Sequence, residues 1–429
     1  MSRPAHTPAA RSALVLAGGL GTRLRRSIAD RPKVLAEVAG RPFLSWLLDD
    51  LAAAGIERAV LCTGYLGEMI PRTLGSVHEG MALDYRVEDR PLGTAGALRE
   101  AARSIASARG ATEQLLVLNG DSWCDGPVSS FAAFAAEDPS RPSLAAVRVE
   151  DASRFGTIET DDGRTVRAFA EKAGTGPGLV NAGIYAFPAA FLAALPDESP
   201  LSLERQVLPG WIGGGIRLFP ARGPLLDIGT PRSYVEAQSF FARRGDRIRP
   251  GRRVGLLLLD RDGTLIEERP YLADPNEVRL LPGVVEGLKA LSARGYDFAI
   301  LTNQSGIGRG YFDEDAMHAV HARLVHELGR EGILLRGIWY CPHRPEEGCS
   351  CRKPEAGLLD AAIAESGYEP ERCIVVGDKE CDVELGRRAG TRTVLVRTGH
   401  GARTERERKS VPDLTVAGLD ELARRVEIP

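Results

Sequence analysis

The 429-residue sequence predicts an α/β protein with two domains. Short apolar runs that end in polar or glycine-rich turns alternate with longer amphipathic stretches, a pattern typical of sheets covered by helices. The chain is also too long for one typical domain. Finally, an arginine-rich segment interrupts the pattern after the middle of the chain.

Composition excludes several classes of protein. Apolar residues make up 43% and charged residues 26%, as in soluble globular proteins. The net charge of -3 argues against a nucleic-acid partner, although small anionic substrates need only local positive charge. No apolar stretch is long enough for a membrane helix, and Met1 to Ser12 lack a signal-peptide core. We therefore expect a cytoplasmic protein without a membrane partner. The sequence leaves the oligomeric state open.

The periodicity predicts individual elements. Two amphipathic stretches predict helices, at Phe43 to Ala54 and at Val284 to Ala293. Five apolar runs predict buried strands of parallel sheets: Ala13 to Ala17, Leu115 to Leu118, Leu256 to Leu259, Phe298 to Leu301 and Ile374 to Val376.

A linker is predicted at residues 242–253, which contain six arginines together with Gly245, Pro250 and Gly251. Because no aromatic residue is interleaved to stack on bases, we interpret the segment as a solvated connection. The predicted domains are residues 1–241 and 254–429.

A glycine-rich loop follows the first predicted strand. It places Gly18, Gly19, Gly21 and Thr22 where backbone amides could hold phosphates. The spacing is neither the dinucleotide fingerprint nor a Walker A loop, so a plain turn is the alternative. Two cations, Arg23 in the loop and Lys33 after it, could neutralise a triphosphate, although most such residues are ordinary surface charges.

This loop with its later Pro-Lys pair resembles the sugar-1-phosphate nucleotidyltransferase family, and the resemblance extends over about residues 11 to 240. It implies a Rossmann-like, GT-A-like sheet. It further implies nucleotide or sugar-phosphate contacts at Gly93, Thr94, Ala95, Asn119, Glu171, Lys172 and Asn181.

The same resemblance implies a magnesium site formed by Asp121 and Asp227. Both follow predicted strand ends, where an open α/β sheet binds ligands. Either aspartate taken alone would more simply cap a turn or helix. Attack by a sugar-phosphate oxygen on an α-phosphorus needs charge neutralisation, which Mg²⁺, Arg23 and Lys33 would provide.

In the second half, Asp260 and Asp262 directly follow a buried apolar run. Asp260 could attack phosphorus while Asp262 acts as acid and then base, an arrangement that resembles the haloacid dehalogenase superfamily. A pair of aspartates two residues apart is common, however, and often just caps a turn. The resemblance implies a Rossmannoid sheet and Mg²⁺ held by Asp260, Asp262 and Asp378, with Asp382 in support.

Further substrate contacts are expected at predicted strand ends and beside them. The run Thr302-Asn303-Gln304-Ser305 could bind the phosphoryl group and Lys353 could neutralise it. Arg352 and Lys379, which are neighbours of Lys353 and Asp378, are expected to contact substrate as well.

A cysteine-rich loop is the most distinctive feature. Cys341, His343, Cys349 and Cys351 would satisfy tetrahedral Zn²⁺ without an open position, so we predict a structural zinc site that fixes Arg352 and Lys353. The ligand gaps are tighter than finger spacing, which leaves a loop without metal as the alternative. The other four cysteines, at positions 62, 124, 373 and 381, are interpreted as buried. Three histidines of one amphipathic stretch, His318, His321 and His326, are interpreted as surface residues.

The zinc loop and the aspartate motif closely resemble the D-glycero-D-manno-heptose 1,7-bisphosphate 7-phosphatases over about residues 254 to 400. Histidinol-phosphate phosphatases share such a loop and are the main alternative. Five residues separate His343 from Cys349, a short insert that could alter anomer preference. The resemblance also implies sugar contacts at Glu268 to Tyr271.

Two enzymes on one chain suggest neighbouring steps of one pathway. Among the transferases, the first half is most similar to the D-glycero-α-D-manno-heptose-1-phosphate guanylyltransferases, so a bifunctional enzyme that makes GDP-heptose is expected. One alternative is a different sugar (mannose or another hexose) or a different nucleotide. Another is that one half is a silent binding module, against which the intact Asp260, Asp262, Lys353, Asp121 and Lys33 argue.

Overall fold

The structure is a computed structural model that describes residues 10–109, 113–126, 128–153, 155–170, 176–248 and 253–426. The chain folds into two compact units. The first unit comprises Met1–Thr22, Asp30–Ala36 and Pro42–Gly229, and the second comprises Arg23–Ala29, Glu37–Arg41 and Thr230–Pro429.

Before residue 230, the described residues form fourteen strands. They are β1 (Ser12–Leu16), β2 (Glu37–Val38), β3 (Arg41–Pro42), β4 (Arg58–Thr63), β5 (Val77–His78), β6 (Met81–Val87), β7 (Gln114–Asn119), β8 (Ser122–Cys124), β9 (Ser143–Val149), β10 (Thr157–Thr160), β11 (Val166–Ala170), β12 (Gly178–Pro188), β13 (Arg217–Ala221) and β14 (Leu225–Asp227). Ten of them form one sheet in the order β11-β10-β12-β7-β1-β4-β6-β5, with β9 on β12 and β13 on β9, while β14 pairs with β8 and β2 with β3.

This large sheet is mixed rather than purely parallel. Strands β1, β4, β6 and β7 form the parallel centre, whereas β12 runs antiparallel to β7 and β9. The helices of this part are α1 (Phe43–Ala53), α2 (Met69–Leu74), α3 (Gly93–Arg109), α4 (Val128–Ala136), α5 (Ala189–Ala193) and α6 (Leu208–Trp211). Helix α3 packs against β1 and β4, so the core lies between it and the parallel centre.

The second unit contains a wholly parallel six-stranded sheet, in the order β17-β16-β15-β18-β19-β20. All four residues Leu256 to Leu259 are fully buried, which confirms that both faces of this sheet are covered. The strands are β15 (Gly255–Leu259), β16 (Tyr296–Asn303), β17 (Leu335–Cys341), β18 (Cys373–Gly377), β19 (Arg392–Val396) and β20 (Leu414–Val416).

The described residues of this part of the chain also form eight α-helices. They are α7 (Pro231–Ile248), α8 (Val284–Ala293), α9 (Ser305–Gly308), α10 (Glu314–Arg330), α11 (Gly357–Ser366), α12 (Glu380–Ala389), α13 (Gly401–Glu407) and α14 (Leu419–Arg425). All five predicted strands and both predicted helices are present, and most of their ends lie within a residue or two of the expected positions. Among the helices of the described residues, none has the length and apolar character needed to cross a membrane.

Helix α7 occupies part of the predicted linker. The helix continues to Ile248, so residues 242–248 are helical rather than an irregular connection. Ala242 is buried, and Arg243 forms an ion pair with Glu365 of α11. Residues 249–252 of the predicted linker lie outside the described part of the chain.

The prediction that His318, His321 and His326 are surface residues is wrong. Their exposed fractions are 7%, 1% and 3%. The rings of His318 and His321 contact the ring of Tyr340 edge-on, with centroids 5.5 and 6.2 Å away. Burial lowers the pKa of both histidines, for His321 together with the charge of Arg261, so the neutral rings pack as aromatic groups.

Burial is confirmed for three of the four cysteines outside the cysteine-rich loop. Cys62, Cys124 and Cys373 are buried, whereas Cys381 is only partly buried and lies in the wall of a cavity of the second unit.

Candidate functional sites

A cleft opens at the carboxyl ends of the parallel centre of the large sheet. Strands β1 and β7 pair with Leu16 opposite Asn119, which brings the glycine loop and Asn119 to the same edge. The cleft has a volume of about 580 Å³. Its walls include Leu16, Gly18, Gly19, Leu20, Lys33, Gly64, Tyr65, Glu88, Asp89, Arg90, Pro91, Gly93, Thr94, Ala97, Asn119, Asp121 and Glu204.

Lys33 lies across the glycine loop and forms an ion pair with Asp121. A Cβ atom on Gly19 would lie 3.2 Å from Lys33 Cε, and one on Gly21 would lie 3.2 Å from Lys33 Cβ. Gly21 also has a φ of +55°, which disfavours residues with a side chain. The loop therefore needs glycine to bring its backbone close to the lysine.

A second turn forms the opposite wall. Gly93 has a φ of +74° and packs against the backbone of Leu201. Thr94 Oγ1 donates to Glu204 Oε2 at 3.1 Å and accepts from the amide of Leu203 at 2.7 Å. Ala95 is fully buried, and its amide donates to the carbonyl of Leu201. These bonds anchor the predicted nucleotide-contacting turn to the segment before α6.

Near Asn119, Asn181 is held by two hydrogen bonds. Its Nδ2 donates to Tyr185 Oη at 2.7 Å, and its Oδ1 accepts from the amide of Gly183 at 2.9 Å. Gly183 has a φ of +72° and packs on the side chain of Asn119. The predicted contacts Glu171 and Lys172 lie outside the described residues.

The two predicted magnesium ligands of this half are brought together by the β8–β14 ladder. Asp227 pairs with Ser122, the residue after Asp121. The amide of Ile228 donates to the carbonyl of Asp121 at 3.1 Å, and Asp227 Oδ1 accepts from the amide of Gly229 at 2.6 Å.

The last two predicted residues of the glycine loop, Thr22 and Arg23, belong to different units. Thr22 is exposed and belongs to the first unit, whereas Arg23 is exposed and belongs to the second unit.

Sequence reasoning missed Glu88, a half-buried carboxylate in the cleft wall directly after β6. Its Oε2 accepts from the amide of Leu92 at 3.1 Å, and its Oε1 would lie 3.1 Å from a Cβ on Gly18. Burial raises the pKa of this carboxyl group. Its position at a strand end, five residues before Gly93, was the signal that could have found it.

In the second unit, the carboxyl ends of β15, β16 and β18 meet at a cavity of about 440 Å³. The amide of Asp260 donates to the carbonyl of Val376, which fixes the start of the aspartate motif on β18. The cavity wall includes Asp260, Arg261, Asp262, Glu268, Arg269, Pro270, Tyr271, Leu272, Thr302, Asn303, Gln304, Ser305, Gly306, Phe312, Arg352, Lys353, Lys379, Cys381 and Asp382.

Lys353 is the electrostatic centre of this site. Its Nζ lies 2.6 Å from Asp260 Oδ1, 2.6 Å from Asp382 Oδ1 and 2.7 Å from the carbonyl oxygen of Leu301. Burial opposes the lysine's charge, but the two carboxylates outweigh it and raise the pKa of Lys353 well above its ordinary value. The ammonium group therefore stays charged while almost fully buried.

Three carboxylates of this site could hold a divalent cation. Ligand oxygens of Asp260, Asp378 and Asp382 all lie within 4.8 Å of one another. Asp378 Oδ2 accepts from the amide of His400 at 2.7 Å, while its buried Oδ1 has no hydrogen-bond partner among the described residues. Burial and the charge of Asp260 raise the pKa of Asp378 to about 8. The arrangement fits Mg²⁺, which prefers oxygen ligands and would keep these groups ionised.

Asp262 is placed differently. Its carboxylate accepts from Arg261 and from Gln304, whose Nε2 lies 3.0 Å from Oδ2, rather than joining the three-carboxylate cluster. Gln304 Nε2 also donates to Thr302 Oγ1 at 2.8 Å. The side chain of Asn303 makes two bonds to the backbone of Lys353 and so ties β16 to the lysine.

Two further predicted contacts lie at the cavity. Lys379 Nζ lies 2.9 Å from Glu268 Oε2, which joins the expected sugar-contacting segment to the end of β18. Arg352 Nη1 donates to the carbonyl of His343 at 3.3 Å, so the cysteine-rich loop positions this guanidinium.

The cysteine-rich loop folds into one cluster. Cys341 Sγ lies 3.6 Å from His343 Nδ1 and 3.5 Å from Cys349 Sγ. Cys351 Sγ lies 3.3 Å from His343 Nδ1 and 3.5 Å from Cys349 Sγ. A tetrahedron with ligand bonds typical of zinc has edges of about 3.3–3.8 Å, so the four side chains fit this metal.

Sequence reasoning also missed Arg261, whose guanidinium is 1% exposed behind Asp262. An arginine two residues after a buried strand and between two aspartates was the available signal.

Comparisons with known proteins find a nucleotidyl transferase family for the first half and phosphatase relatives for the second half. Residues 12–244 match the family model described as nucleotidyl transferase, and residues 350–422 match the model described as HAD-hydrolase-like. The D-glycero-beta-D-manno-heptose-1,7-bisphosphate 7-phosphatase of Pseudomonas putida is 41% identical over 169 residues, which cover 39% of this chain and 95% of that protein.

For the first half, the mannose-1-phosphate guanylyltransferase of Mycobacterium tuberculosis is 33% identical over 236 residues, which cover 54% of this chain and 64% of that protein. The crystal structure of HddC from Yersinia pseudotuberculosis complexed with GMP-PN matches with a TM-score of 0.48 and 29% identity, over 54% of this chain and 99% of that one.

Proposed function

We propose a function on the premise that this chain belongs to the nucleotidyl transferase family and, through its C-terminal part, to the D-glycero-D-manno-heptose-1,7-bisphosphate 7-phosphatase family. The chain removes the C7 phosphate of heptose 1,7-bisphosphate. It then transfers GMP from GTP to heptose 1-phosphate, which yields GDP-heptose and pyrophosphate.

The observation that carries the phosphatase half is the buried contact of Lys353 with Asp260 and Asp382. Asp260 attacks phosphorus, the bond between phosphorus and O7 breaks, and an aspartyl phosphate forms. Asp262 gives a proton to the departing sugar oxygen. It then takes a proton from the water that hydrolyses the aspartyl phosphate, which releases phosphate and restores Asp260.

The residues around the nucleophile neutralise the phosphoryl group. Lys353 supplies one buried positive charge next to Asp260. Mg²⁺ held by Asp260, Asp378 and Asp382 would supply further positive charge when bound. Arg352 and Lys379 line the same cavity and would bind the distal parts of the anionic substrate.

For the cysteine-rich loop we propose structural Zn²⁺ on Cys341, His343, Cys349 and Cys351. Four separations of 3.3–3.6 Å between neighbouring ligand atoms, with all four residues' ligand atoms within 4.8 Å of one another, support this assignment. The loop leads directly to Arg352 and Lys353, so a bound ion would hold both cations at the cavity.

In the transferase half, the glycine loop and Lys33 would bind the triphosphate, and the sugar-phosphate oxygen would attack the α-phosphorus. We retain Arg23 as a partner of the leaving pyrophosphate and Asp121 with Asp227 as Mg²⁺ ligands. The β8–β14 pairing supports the second assignment because it places both aspartates at one ladder.

Glu88 supports guanine as the base. A carboxylate only accepts hydrogen bonds, and guanine presents two neighbouring donors, N1–H and the N2 amino group, on one edge. Uracil and thymine present one donor between two acceptors on the corresponding edge. Glu88 lies between the glycine loop and the Gly93 turn, and its Oε1 lies near Gly18.

The deciding experiment incubates the protein with heptose 1,7-bisphosphate, GTP and Mg²⁺. We expect equal amounts of phosphate and pyrophosphate, with GDP-heptose identified by mass spectrometry. In a matched reaction, Asp260→Asn should release no phosphate yet still form pyrophosphate from supplied heptose 1-phosphate. Release of neither product by the wild type would refute the proposal, and release of only one would favour a silent module.

A mannose or hexose 1-phosphate substrate, another nucleotide and a histidinol-phosphate phosphatase activity are the competing hypotheses. Panels of sugar 1-phosphates, triphosphates and phosphate monoesters, compared by kcat/KM, separate them from the heptose hypothesis.

A further inference from the structure

Arg261 holds the carboxylate of its sequence neighbour, Asp262, from one side. Its Nε lies 3.1 Å from Asp262 Oδ2, and its Nη2 lies 3.0 Å from Asp262 Oδ1. The guanidinium is 1% exposed, whereas the Asp262 side chain is 15% exposed at the cavity. Two parallel bonds from a planar, buried donor fix both the position and the plane of a carboxylate.

Gln304 closes the arrangement from the next strand. Its Oε1 accepts from Arg261 Nη2 at 3.0 Å, and its Nε2 donates to Asp262 Oδ2 at 3.0 Å. The same Nε2 donates to Thr302 Oγ1 at 2.8 Å, which anchors the amide to β16. Arg261, Gln304 and Asp262 thus form a closed ring of hydrogen bonds in which each member restrains the other two.

We propose that Arg261 is a positioning residue that, with Gln304, aims the Asp262 carboxyl group at the leaving oxygen of the substrate. The inference rests on the proposed phosphatase function and adds a residue to it. Proton transfer requires the donor oxygen within hydrogen-bond reach of the departing atom, so a freely rotating carboxyl group would transfer its proton less efficiently. Arg261 itself does not touch the reacting atoms in this role.

Two substrates whose leaving groups differ in basicity distinguish a positioning role of Arg261 from a purely structural one. A sugar alkoxide needs a proton as its bond to phosphorus breaks, whereas nitrophenolate leaves without one. Formation of the aspartyl phosphate is therefore followed in single-turnover experiments with heptose 1,7-bisphosphate and, as a burst of nitrophenolate, with p-nitrophenyl phosphate. We expect Arg261→Met to slow the first reaction about 100-fold, as for loss of a general acid, and to change the second less than about 3-fold.

Three companion variants make the test decisive. Gln304→Leu should slow the sugar-phosphate reaction more than the nitrophenyl phosphate reaction, and the ratio of the two losses carries the test if Arg261→Met does not fold. Arg261→Lys retains charge without the two-pronged geometry and should not restore the sugar-phosphate rate. Arg336→Met removes another largely buried arginine, which lies 2.7 Å from Asp297, and should leave both rates unchanged.

Equal loss with both substrates would overturn the proposal. That result would mean that Arg261 binds the phosphoryl group directly or only stabilises the fold. Unchanged rates with both substrates would overturn it too. Absence of phosphate release from heptose 1,7-bisphosphate by the wild type would instead refute the proposed phosphatase function, and this inference with it.

Discussion

Lys353 Nζ lies 2.6 Å from Asp260 Oδ1, and the lysine is 4% exposed. In the proposed phosphatase reaction, this buried ammonium group would neutralise the charge of Asp260 that otherwise repels an incoming phosphate dianion. It also balances the neighbouring carboxylates of Asp378 and Asp382. On the proposed mechanism, one side chain therefore serves both the reaction and the stability of the second unit.

Replacing Lys353 should lower both the rate of phosphate release and the free energy of unfolding. Lys353→Met leaves buried carboxylates without their partner, which costs about 3–5 kcal/mol of unfolding free energy. Phosphate release should fall about 100-fold or more because the transferring group loses a positive charge. Calorimetry and phosphate release measure the two effects. Lys289→Met, which breaks an exposed pair with Glu331, should change neither by more than a small amount. Equal effects of the two variants would contradict the assigned role of Lys353.

Loss of the proposed zinc site in the cysteine-rich loop should affect the phosphatase alone. Cys349→Ala should reduce bound zinc from about one ion per chain to none, because a structural site with three ligands binds much more weakly. Without the ion, the loop that carries Arg352 and Lys353 loses its anchor, so phosphate release should fall while pyrophosphate formation continues. Elemental analysis and both activity assays measure this. Cys124→Ala, at a cysteine outside the cluster, should keep its zinc; full zinc content in Cys349→Ala would disprove the ligand set.

Changing Glu88 should alter the choice of nucleotide. Glu88→Gln replaces one carboxylate oxygen, a hydrogen-bond acceptor, by an amide NH₂ group, which is a donor. One of guanine's two donors would then face another donor. We expect kcat/KM for GTP to fall about 10- to 200-fold, as for a lost hydrogen bond in a buried site, and kcat/KM for UTP or dTTP to rise. The control is Asp89→Asn, an exposed neighbour in the same cleft. Retention of full GTP preference by Glu88→Gln would rule out base recognition by this residue.

The buried histidines predict a loss of stability in mild acid. His318 and His321 have lowered pKa values in the folded chain, so below the ordinary imidazole pKa of about 6.5 the unfolded chain binds protons that the folded chain does not. The free energy of unfolding should therefore drop as pH falls, by at most about 1.4 kcal/mol per pH unit for each histidine.

Calorimetry at about pH 7.5 and about pH 5.5, on either side of the ordinary imidazole pKa, measures this dependence. His321→Phe keeps an aromatic ring against Tyr340 and should reduce the difference in Tm between the two pH values. His400→Asn changes a histidine that is about half exposed and should leave the difference as in the wild type. The histidine explanation fails if His321→Phe retains the full pH dependence.

Much of the fold followed from patterns that are local in the chain. The apolar runs identified β1, β7, β15, β16 and β18, because a strand buried on both faces has no polar alternation. The same argument does not reveal pairing direction, so the antiparallel position of β12 in the large sheet was not expected. The arginine-rich composition of residues 242–248 predicted a linker, but α7 extends through them. Its contacts there are with residues distant in sequence, such as the ion pair of Arg243 with Glu365, which composition does not reveal.

Residue types at fixed spacing were enough to identify the candidate chemistry of this protein: a glycine loop with Lys33, an aspartate pair at Asp260 and Asp262, and four potential metal ligands within eleven residues. These signals are readable because each depends on residue types at fixed spacing. Only the folded chain shows which residues distant in sequence lie together, such as Lys353 with Asp382, Arg261 with Gln304, and Glu88 with Gly18. It also shows that three histidines are buried. Such relationships depend on which strands and helices become neighbours in the fold. Burial then shifts the pKa of an ionisable group, and the spacing of residues along the chain contains no information on burial.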